Sequence, residues 1–183
     1  MCIIRTKTQA AIYILTRLLG PQSIANETNV KLMKLIYLVY IRFIGLHEGH
    51  TLSPQSAFAE FRFTALPRGG VEMDIYENLD YVRSEVATCQ RDDDQTPHPA
   101  VFIFNRPDNF IPEEIAAEIG MLNQAIDDIA HNFADMDTNE IVDFVHTELP
   151  KWGKTTLFEQ MEFNGDYTDE VEALNTKLVG VLA

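Results

Sequence analysis

The chain has 183 residues, of which 46% are hydrophobic and 23% are charged. These proportions are those of an ordinary globular protein and exclude a disordered, collagen-like or low-complexity chain. Lys and Arg together number 14 against 28 Asp and Glu, so the net charge is -14. This balance argues against direct binding of duplex nucleic acid, because Lys and Arg contacts to phosphate supply most of the affinity in such proteins.

The charge is distributed unevenly along the chain. Residues 1–91 carry 10 basic and 8 acidic side chains, whereas residues 92–183 carry 4 basic and 20 acidic ones. Two interpretations of the acidic half remain open. It is a solvated surface that keeps the protein soluble, or it is an electronegative docking surface for a basic partner.

Neither the first 20 residues nor the longest apolar stretch has the pattern of a membrane segment. Arg17 interrupts the apolar run of residues 1–20, which therefore predicts an amphipathic helix rather than a signal peptide. The stretch 30–46 contains three Lys or Arg residues, so it lacks the roughly 20 continuous apolar residues of a membrane span. Cys2 and Cys89 are too few for a disulfide framework, and we expect free thiols and a cytoplasmic protein.

Two helices are predicted at the start of the chain. The first covers residues 6–19 and ends at Gly20-Pro21, because these residues stop a helix. The second is capped by Thr28 or Asn29 and runs to about residue 46. Since it is apolar around most of its circumference, we expect it at the centre of the fold. Two possibilities remain open for this helix: it is completely buried within one chain, or part of it forms the interface of a homodimer.

The middle of the chain predicts two strands and a helix between them. Apolar and polar residues alternate over 57–65, which indicates a half-buried strand, and the glycines of residues 67–70 favour a turn. A third helix follows over 71–87. Residues 101–104 form the second short strand, and we expect it to lie antiparallel to the first.

Three further helices are predicted in the acidic half. Pro112 suits the first turn of one that continues to residue 133. Asp137 and Glu140 form a capping box for the next, which Pro150 stops, and residues 168–182 form the last. The chain is thus expected to be a single mainly α (α+β) domain over residues 1–183, with about six helices and a small two-stranded antiparallel sheet.

The motifs that suggest metal binding fail at their defining positions. Residues 135–139 place oxygen ligands at alternate positions, as a calcium loop does. However, Glu140 stands where such a loop needs glycine, and His146 where it needs a bidentate glutamate. His47 and His50 are three residues apart at a helix end, whereas the helix of a zinc protease needs them four apart. We therefore expect no metal and no cofactor.

The sequence also contains no recognisable catalytic motif. A nucleophile elbow, a phosphate-binding loop and a dinucleotide-binding fingerprint are all missing from the chain. We therefore expect a protein that is not an enzyme. A hydrolase that uses a His and nearby carboxylates is kept as a third hypothesis, because tertiary proximity of side chains is not visible in a sequence.

Three separate stretches together carry a family resemblance. They are Lys31-Leu-Met-Lys34-Leu-Ile-Tyr37, then residues 65–71 with Tyr76, and finally the stretch from Glu140 to Trp152 with His146 and Pro150. In this order they resemble the Panacea domain, a family of bacterial and phage genomes, over residues 6–155. The pattern of that family has a K-L-x-K-L-x-Y helix, a turn of the form A-W-x-x-G-P-V, and a His helix followed by Pro and Trp.

The chain is a divergent match to that pattern. Leu66, Arg68 and Gly70 stand where the family has Trp, an aromatic residue and Pro. The acidic C-terminal helix, about residues 166–183, lies outside the resemblance.

The resemblance implies a largely helical fold and the role of antitoxin in a toxin–antitoxin pair. Such a protein binds its toxin stoichiometrically and masks the active surface, so it requires no chemistry. We expect the turn to be exposed and rigid, as suits recognition. The residues predicted to bind a protein partner are Pro67, Arg68, Gly69, Gly70, Tyr76, His146 and Trp152.

The alternative function follows from the acidic half of the chain. A phage or mobile-element inhibitor of the anti-CRISPR type would mimic nucleic acid and occupy the binding channel of a host defence complex. Its binding would depend strongly on salt and compete with nucleic acid. The carboxylates assigned to this surface are Asp92, Asp93, Asp94, Glu113, Glu114, Glu118, Asp127 and Asp128.

Overall fold

In the computed structural model of the chain, the described residues are 2–4, 6–47, 58, 61–88, 100–102, 112–162 and 166–180. Eight helices and four short strands lie within these ranges. They confirm the expected fold class, which is mainly helical with a small two-stranded antiparallel sheet. The elements are β1 (Cys2–Ile4), α1 (Lys7–Ile24), α2 (Asn29–Gly45), β2 (Phe63–Leu66), β3 (Gly69–Glu72), α3 (Met73–Tyr76), α4 (Leu79–Thr88), β4 (Ala100–Phe102), α5 (Pro112–Phe133), α6 (Thr138–Thr147), α7 (Pro150–Gly153) and α8 (Thr168–Gly180).

Helix α2 is the centre of the fold, as its apolar circumference predicts. The Thr28 side chain caps it by accepting a hydrogen bond from the backbone N–H of Lys31, at 3.1 Å. Every residue from 31 to 41 is buried, because α1, α5, α6, α8 and β3 all pack against this helix. No helix in the described part of the chain is long and apolar enough to cross a membrane.

Helix α1 continues beyond its predicted end. Gly20 has φ 67° and ψ 169°, which is not helical, but the chain resumes a helical turn and reaches Ile24. The predicted stop at Gly20-Pro21 is therefore a kink. Glycine permits it because the left-handed region carries no steric cost without a Cβ.

The antiparallel sheet is a hairpin of β2 and β3, which are joined by Pro67 and Arg68. Leu66 pairs with Gly69 and Phe63 with Glu72. The expected pairing of the first strand with residues 101–104 is wrong, since β4 pairs in parallel with β1. Because the turn has only two residues, the chain reverses directly after β2, and residues 69–72 pair with β2 as the next strand. This edge of β2 is then not open to residues 101–104. Residues 57, 59, 60, 103 and 104 of the predicted strands lie outside the described residues.

The predicted third helix is divided into α3 and α4. Its first residues are taken up by β3, and Glu72 ends that strand as the N-cap of α3. The Glu72 carboxylate is buried, accepts a hydrogen bond from the backbone of Ile75 and pairs with Lys7 at 2.6 Å. A carboxylate in this position stabilises the helix start, and its buried charge is paired.

The helices of the acidic half begin where the sequence predicts. Helix α5 covers Pro112–Phe133. The capping box of α6 is complete, because the Asp137 side chain accepts from backbone N–H groups and Glu140 accepts from the backbone of Asp137. Pro150 does more than stop the preceding helix, since it opens the short helix α7. Residues 181–183 of the predicted last helix lie outside the described residues.

A third extended segment lies along the other edge of β2. Ala65 donates its N–H to the carbonyl of Glu159 at 2.9 Å and accepts from the N–H of Phe158 at 2.6 Å. Met161 donates to the carbonyl of Phe63 at 2.7 Å. Strand β2 is thus held on both edges, by β3 and by residues 158–161, and the hairpin is anchored to the C-terminal part of the chain.

From the geometry of the hairpin turn we expect that adding a single methyl group at Gly69 lowers the stability of the protein strongly. This residue has φ +103°, and a Cβ there would lie 2.6 Å from Lys34 Cε and 2.7 Å from Lys34 Nζ. We expect Gly69→Ala to lower the free energy of unfolding by about 2 kcal/mol or more, from backbone strain together with the clash.

Gly120→Ala is the matched control, because Gly120 lies inside α5 with nothing within 4 Å of an added Cβ. There the substitution should stabilise the protein by up to about 1 kcal/mol. Urea denaturation measures both variants. Equal stabilities for Gly69→Ala and the wild type would show that the turn has room for a side chain.

Candidate functional site

Lys34 lies beneath the hairpin and is the most unusual charged group in the described structure. Its side chain is 1% exposed, and its Nζ donates a hydrogen bond to the backbone carbonyl of Gly70 at 3.1 Å. The stem passes against the Cα of Gly69, where only a glycine leaves room for it. Among the described residues, no carboxylate forms an ion pair with Lys34.

Burial lowers the pKa of Lys34 to about 7. The cause is the loss of water around the ammonium group, which disfavours the charged form when no counter-charge replaces the solvent. Near neutral pH the amine is therefore partly protonated. Any acceptor that approaches it would shift this balance towards the charged form.

His146 and Trp152 support the base of the hairpin from α6 and α7. The Trp152 Nε1–H donates to the carbonyl of Leu66 at 2.8 Å, and the two rings stack with centroids 3.8 Å apart and planes at 7°. The His146 Nε2 atom is buried and has no hydrogen-bond partner among the described residues. This stacked pair ties the end of β2 to the helices behind it.

The imidazole of His146 is electrostatically coupled to Lys34. Burial lowers the pKa of His146, and the positive charge of Lys34 lowers it further. The backbone of Arg68 and the carboxylate of Asp143 act in the opposite direction. Two weakly basic groups from different helices therefore meet under one turn, and protonation of one disfavours protonation of the other.

A half-open pocket of about 180 Å³ lies between α2, the hairpin turn and α3. Lys34 is its most deeply buried polar group, whereas the Tyr76 ring, 43% exposed, and the Arg68 side chain stand at the surface. Most of its walls are apolar, and none of the described residues that line it is acidic. The lining residues are Asn29, Val30, Met33, Lys34, Leu66, Pro67, Arg68, Val71 and Tyr76.

An exposed aromatic residue stands beside the hairpin. Phe158 is 72% exposed and has φ 71°, a left-handed conformation that a bulky residue rarely adopts. Its backbone is fixed by the hydrogen bond to Ala65, and Leu157 next to it is also exposed. We call the exposed groups around the turn, Pro67, Arg68, Tyr76, Leu157 and Phe158, the hairpin-tip surface.

The seven residues that were predicted to bind a partner all lie around one hairpin, but they differ in exposure. Pro67 and Arg68 are exposed at the turn, and Tyr76 borders the pocket. Gly69 and Gly70 are buried, and their lack of a side chain leaves room for the side chains of Lys34 and Met161. His146 and Trp152 are half-buried behind the turn. Their role in binding stays a prediction.

Two features of the site were missed in the sequence. No residue pattern marks Phe158, because its conformation is imposed by pairing with β2 and not by a glycine or asparagine in the chain. Lys34 did leave a signal, since it is a lysine inside a helix that is apolar on nearly every side. A cation at such a position must be buried or lie at an interface.

The carboxylates assigned to a nucleic-acid-mimicking surface do not form one unpaired face where the structure describes them. Glu118 is buried, at 8% exposure. Asp127 pairs with Arg17 at 3.0 Å and Asp128 with Arg42 at 2.7 Å.

The other five members of this acidic set have side chains outside the described part of the structure. Asp92, Asp93 and Asp94 lie outside the described residues. Glu113 and Glu114 are in the first turn of α5, and their side chains are likewise outside the described part.

The described residues contain no group of three or more His, Cys, Asp or Glu side chains that could hold a metal ion. Compared with models of protein families, with curated proteins and with solved structures, the chain matches none of them. The resemblance to the Panacea domain therefore depends on the sequence motifs.

The buried amine predicts a pH-dependent effect of Lys34→Met. Between pH 7 and 10.5 the unfolded chain holds the proton of this lysine more tightly than the folded chain, so the stability of the wild type rises with pH in this range. We expect the variant to exceed the wild type in unfolding free energy most clearly below pH 7. This advantage should shrink as the pH approaches 10.5. Urea midpoints at pH 6, 7.5 and 9 measure it, and a difference that is constant with pH would contradict it.

Proposed function

We propose that the chain is a non-enzymatic, protein-binding neutraliser of the antitoxin type, which sequesters a toxin or effector protein stoichiometrically through the hairpin-tip surface. The observation that carries this proposal is Phe158, a large aromatic side chain held in solvent at φ 71°. Backbone strain of this kind costs of order 1–3 kcal/mol and persists at recognition sites because the surroundings enforce it.

The composition of the surface suits a protein partner. Aromatic and arginine side chains supply most of the binding energy in protein interfaces. Phe158 and Tyr76 offer two rings, and Arg68 offers a guanidinium that forms no ion pair among the described residues. A matching partner therefore carries an apolar pocket for Phe158 and a carboxylate for Arg68.

The support beneath the surface favours tight binding. The turn is held from below by the bond from Lys34 to Gly70, and from the sides by Trp152 and by the backbone of Phe158. A surface that is already rigid loses little conformational entropy when a partner binds. The contacts of Lys34, Gly70 and Trp152 come from the three stretches that carry the Panacea resemblance, whereas Phe158 lies outside it.

The decoy alternative has less support among the described side chains. Asp127 and Asp128 are engaged by arginines and Glu118 is buried, so these three do not present a row of free negative charges. The experiment below still distinguishes the two functions, because a decoy would depend on salt and on nucleic acid whereas an aromatic interface would not.

The test is rescue from toxicity. The product of the adjacent gene should be harmful when expressed alone, and co-expression of this chain should restore growth through a 1:1 complex that survives high salt. Phe158→Asn should keep or slightly raise the stability, because asparagine adopts the left-handed conformation more readily. It should nevertheless weaken the complex at least tenfold, about 1.4 kcal/mol, and abolish rescue.

Tyr81→Asn is the matched control, since Tyr81 is an aromatic residue of α4 that is 54% exposed outside the hairpin-tip surface. This variant should rescue growth as the wild type does. Rescue by Phe158→Asn at full affinity would exclude the hairpin-tip surface. A complex that dissociates at high salt and is displaced by nucleic acid would favour the decoy instead.

A further inference from the structure

We propose that the pocket beside the hairpin binds a carboxylate carried on a small apolar group, with Lys34 and Arg68 as the cations that receive it. This inference goes beyond the proposed function, because it concerns a ligand that enters the pocket, although Pro67, Arg68 and Tyr76 belong both to the pocket and to the hairpin-tip surface. The same chemistry is offered by a small organic acid and by the apolar C-terminal residue of a protein chain.

The Lys34 ammonium group, which has one acceptor among the described residues, defines the polar end of the site. An ammonium group has three N–H donors, and Nζ uses one of them on the carbonyl of Gly70. The described residues provide no counter-charge for it. A buried charge that lacks a partner is costly. A carboxylate in the pocket supplies both the missing acceptors and the missing charge.

The charge around the pocket is opposite to that of the whole chain. The net charge is -14, yet the described residues that line the pocket include two cations and no acidic residue. Arg68 stands exposed at the rim, and its planar guanidinium suits a carboxylate. An anion is therefore favoured here even though the protein as a whole repels anions.

The walls define the rest of the ligand. Val30, Met33, Leu66 and Val71 provide aliphatic contacts, and the Tyr76 ring closes one side. The volume of about 180 Å³ is well below the roughly 300–1,000 Å³ of pockets for drug-sized ligands. The ligand is thus a small branched or aromatic acid, or one apolar residue with its terminal carboxylate.

Binding should be linked to proton uptake. Burial lowers the pKa of Lys34 to about 7, and a carboxylate beside it would restore the charged form. The charged and titratable groups near Lys34 are His146 of α6, whose pKa the lysine lowers, and Arg68 and Tyr76 at the pocket. Above pH 7 the complex should therefore take up a fraction of a proton from the buffer.

The experiment titrates the full chain with 4-methylpentanoate and with 4-methylpentanamide, which has the same apolar group without the charge. Amide NMR signals of Gly69 and Gly70 report the binding, and calorimetry at pH 8 in two buffers of different ionisation enthalpy reports the proton. We expect saturable binding of the acid, binding of the amide at least tenfold weaker, and proton uptake with the acid.

Three variants distinguish a loss of binding at the pocket from a general loss of folded structure. Lys34→Met should weaken binding of the acid at least tenfold. Val30→Phe, which fills the pocket and leaves the lysine in place, should do the same if Lys34→Met proves poorly folded. Lys31→Met is the matched control, because Lys31 belongs to the same helix but pairs with Glu27 at 2.9 Å and does not line the pocket. It should bind as the wild type does.

A second arm identifies the source of the carboxylate. Acetyl-Gly-Leu with a free carboxylate and the same peptide with an amidated end are titrated in parallel. Binding of the free peptide acid supports a protein chain end, and binding of 4-methylpentanoate alone supports a small acid.

The proposal is overturned by any of three results. The first is that neither acid shows saturable binding up to about 10 mM, which is tenfold above a Kd of about 1 mM. The second is that the acid and the amide bind equally well. The third is that Lys34→Met binds the acid with full affinity. Toxicity rescue does not enter any of these readouts, so this proposal and the proposed function fail independently.

Discussion

The hydrogen bond from Lys34 to the carbonyl of Gly70 is the contact around which the rest of the site is organised. It joins the central helix to the hairpin and places a cation where no other part of the described chain balances it. It also requires a glycine at position 69, since the lysine stem occupies the space of a side chain there. The turn, the pocket and the coupled His146 all follow from this placement.

The site combines polar and apolar contacts that have opposite effects on the stability of the fold. The aromatic and aliphatic residues packed against α2 stabilise the fold by burial. The buried amine opposes folding, because its desolvation is not offset by an ion pair. The position of this amine in a pocket supports an explanation by binding, as we propose above. The exposed and strained Phe158 supports the same explanation on the surface.

The sequence predicted most helices and a small antiparallel sheet, but it assigned the wrong second strand to that sheet for a physical reason. Helix starts depend on residues close in sequence, such as Thr28 and the pair Asp137 and Glu140, and these were confirmed. Strand pairing depends on which segments meet after folding. A short alternating pattern cannot reveal that residues 100–102 pair with β1, or that residues 158–161 cover the far edge of β2.

The sequence by itself determined the helical class and the central position of α2. Local capping and the continuous apolar character of one helix suffice for these conclusions. Only the tertiary structure decided that Lys34 lies under the turn with no ion pair among the described residues, that Phe158 is exposed, and that Glu118 is buried. Burial and pairing depend on contacts between segments far apart in the chain, and no spacing of residues encodes them directly.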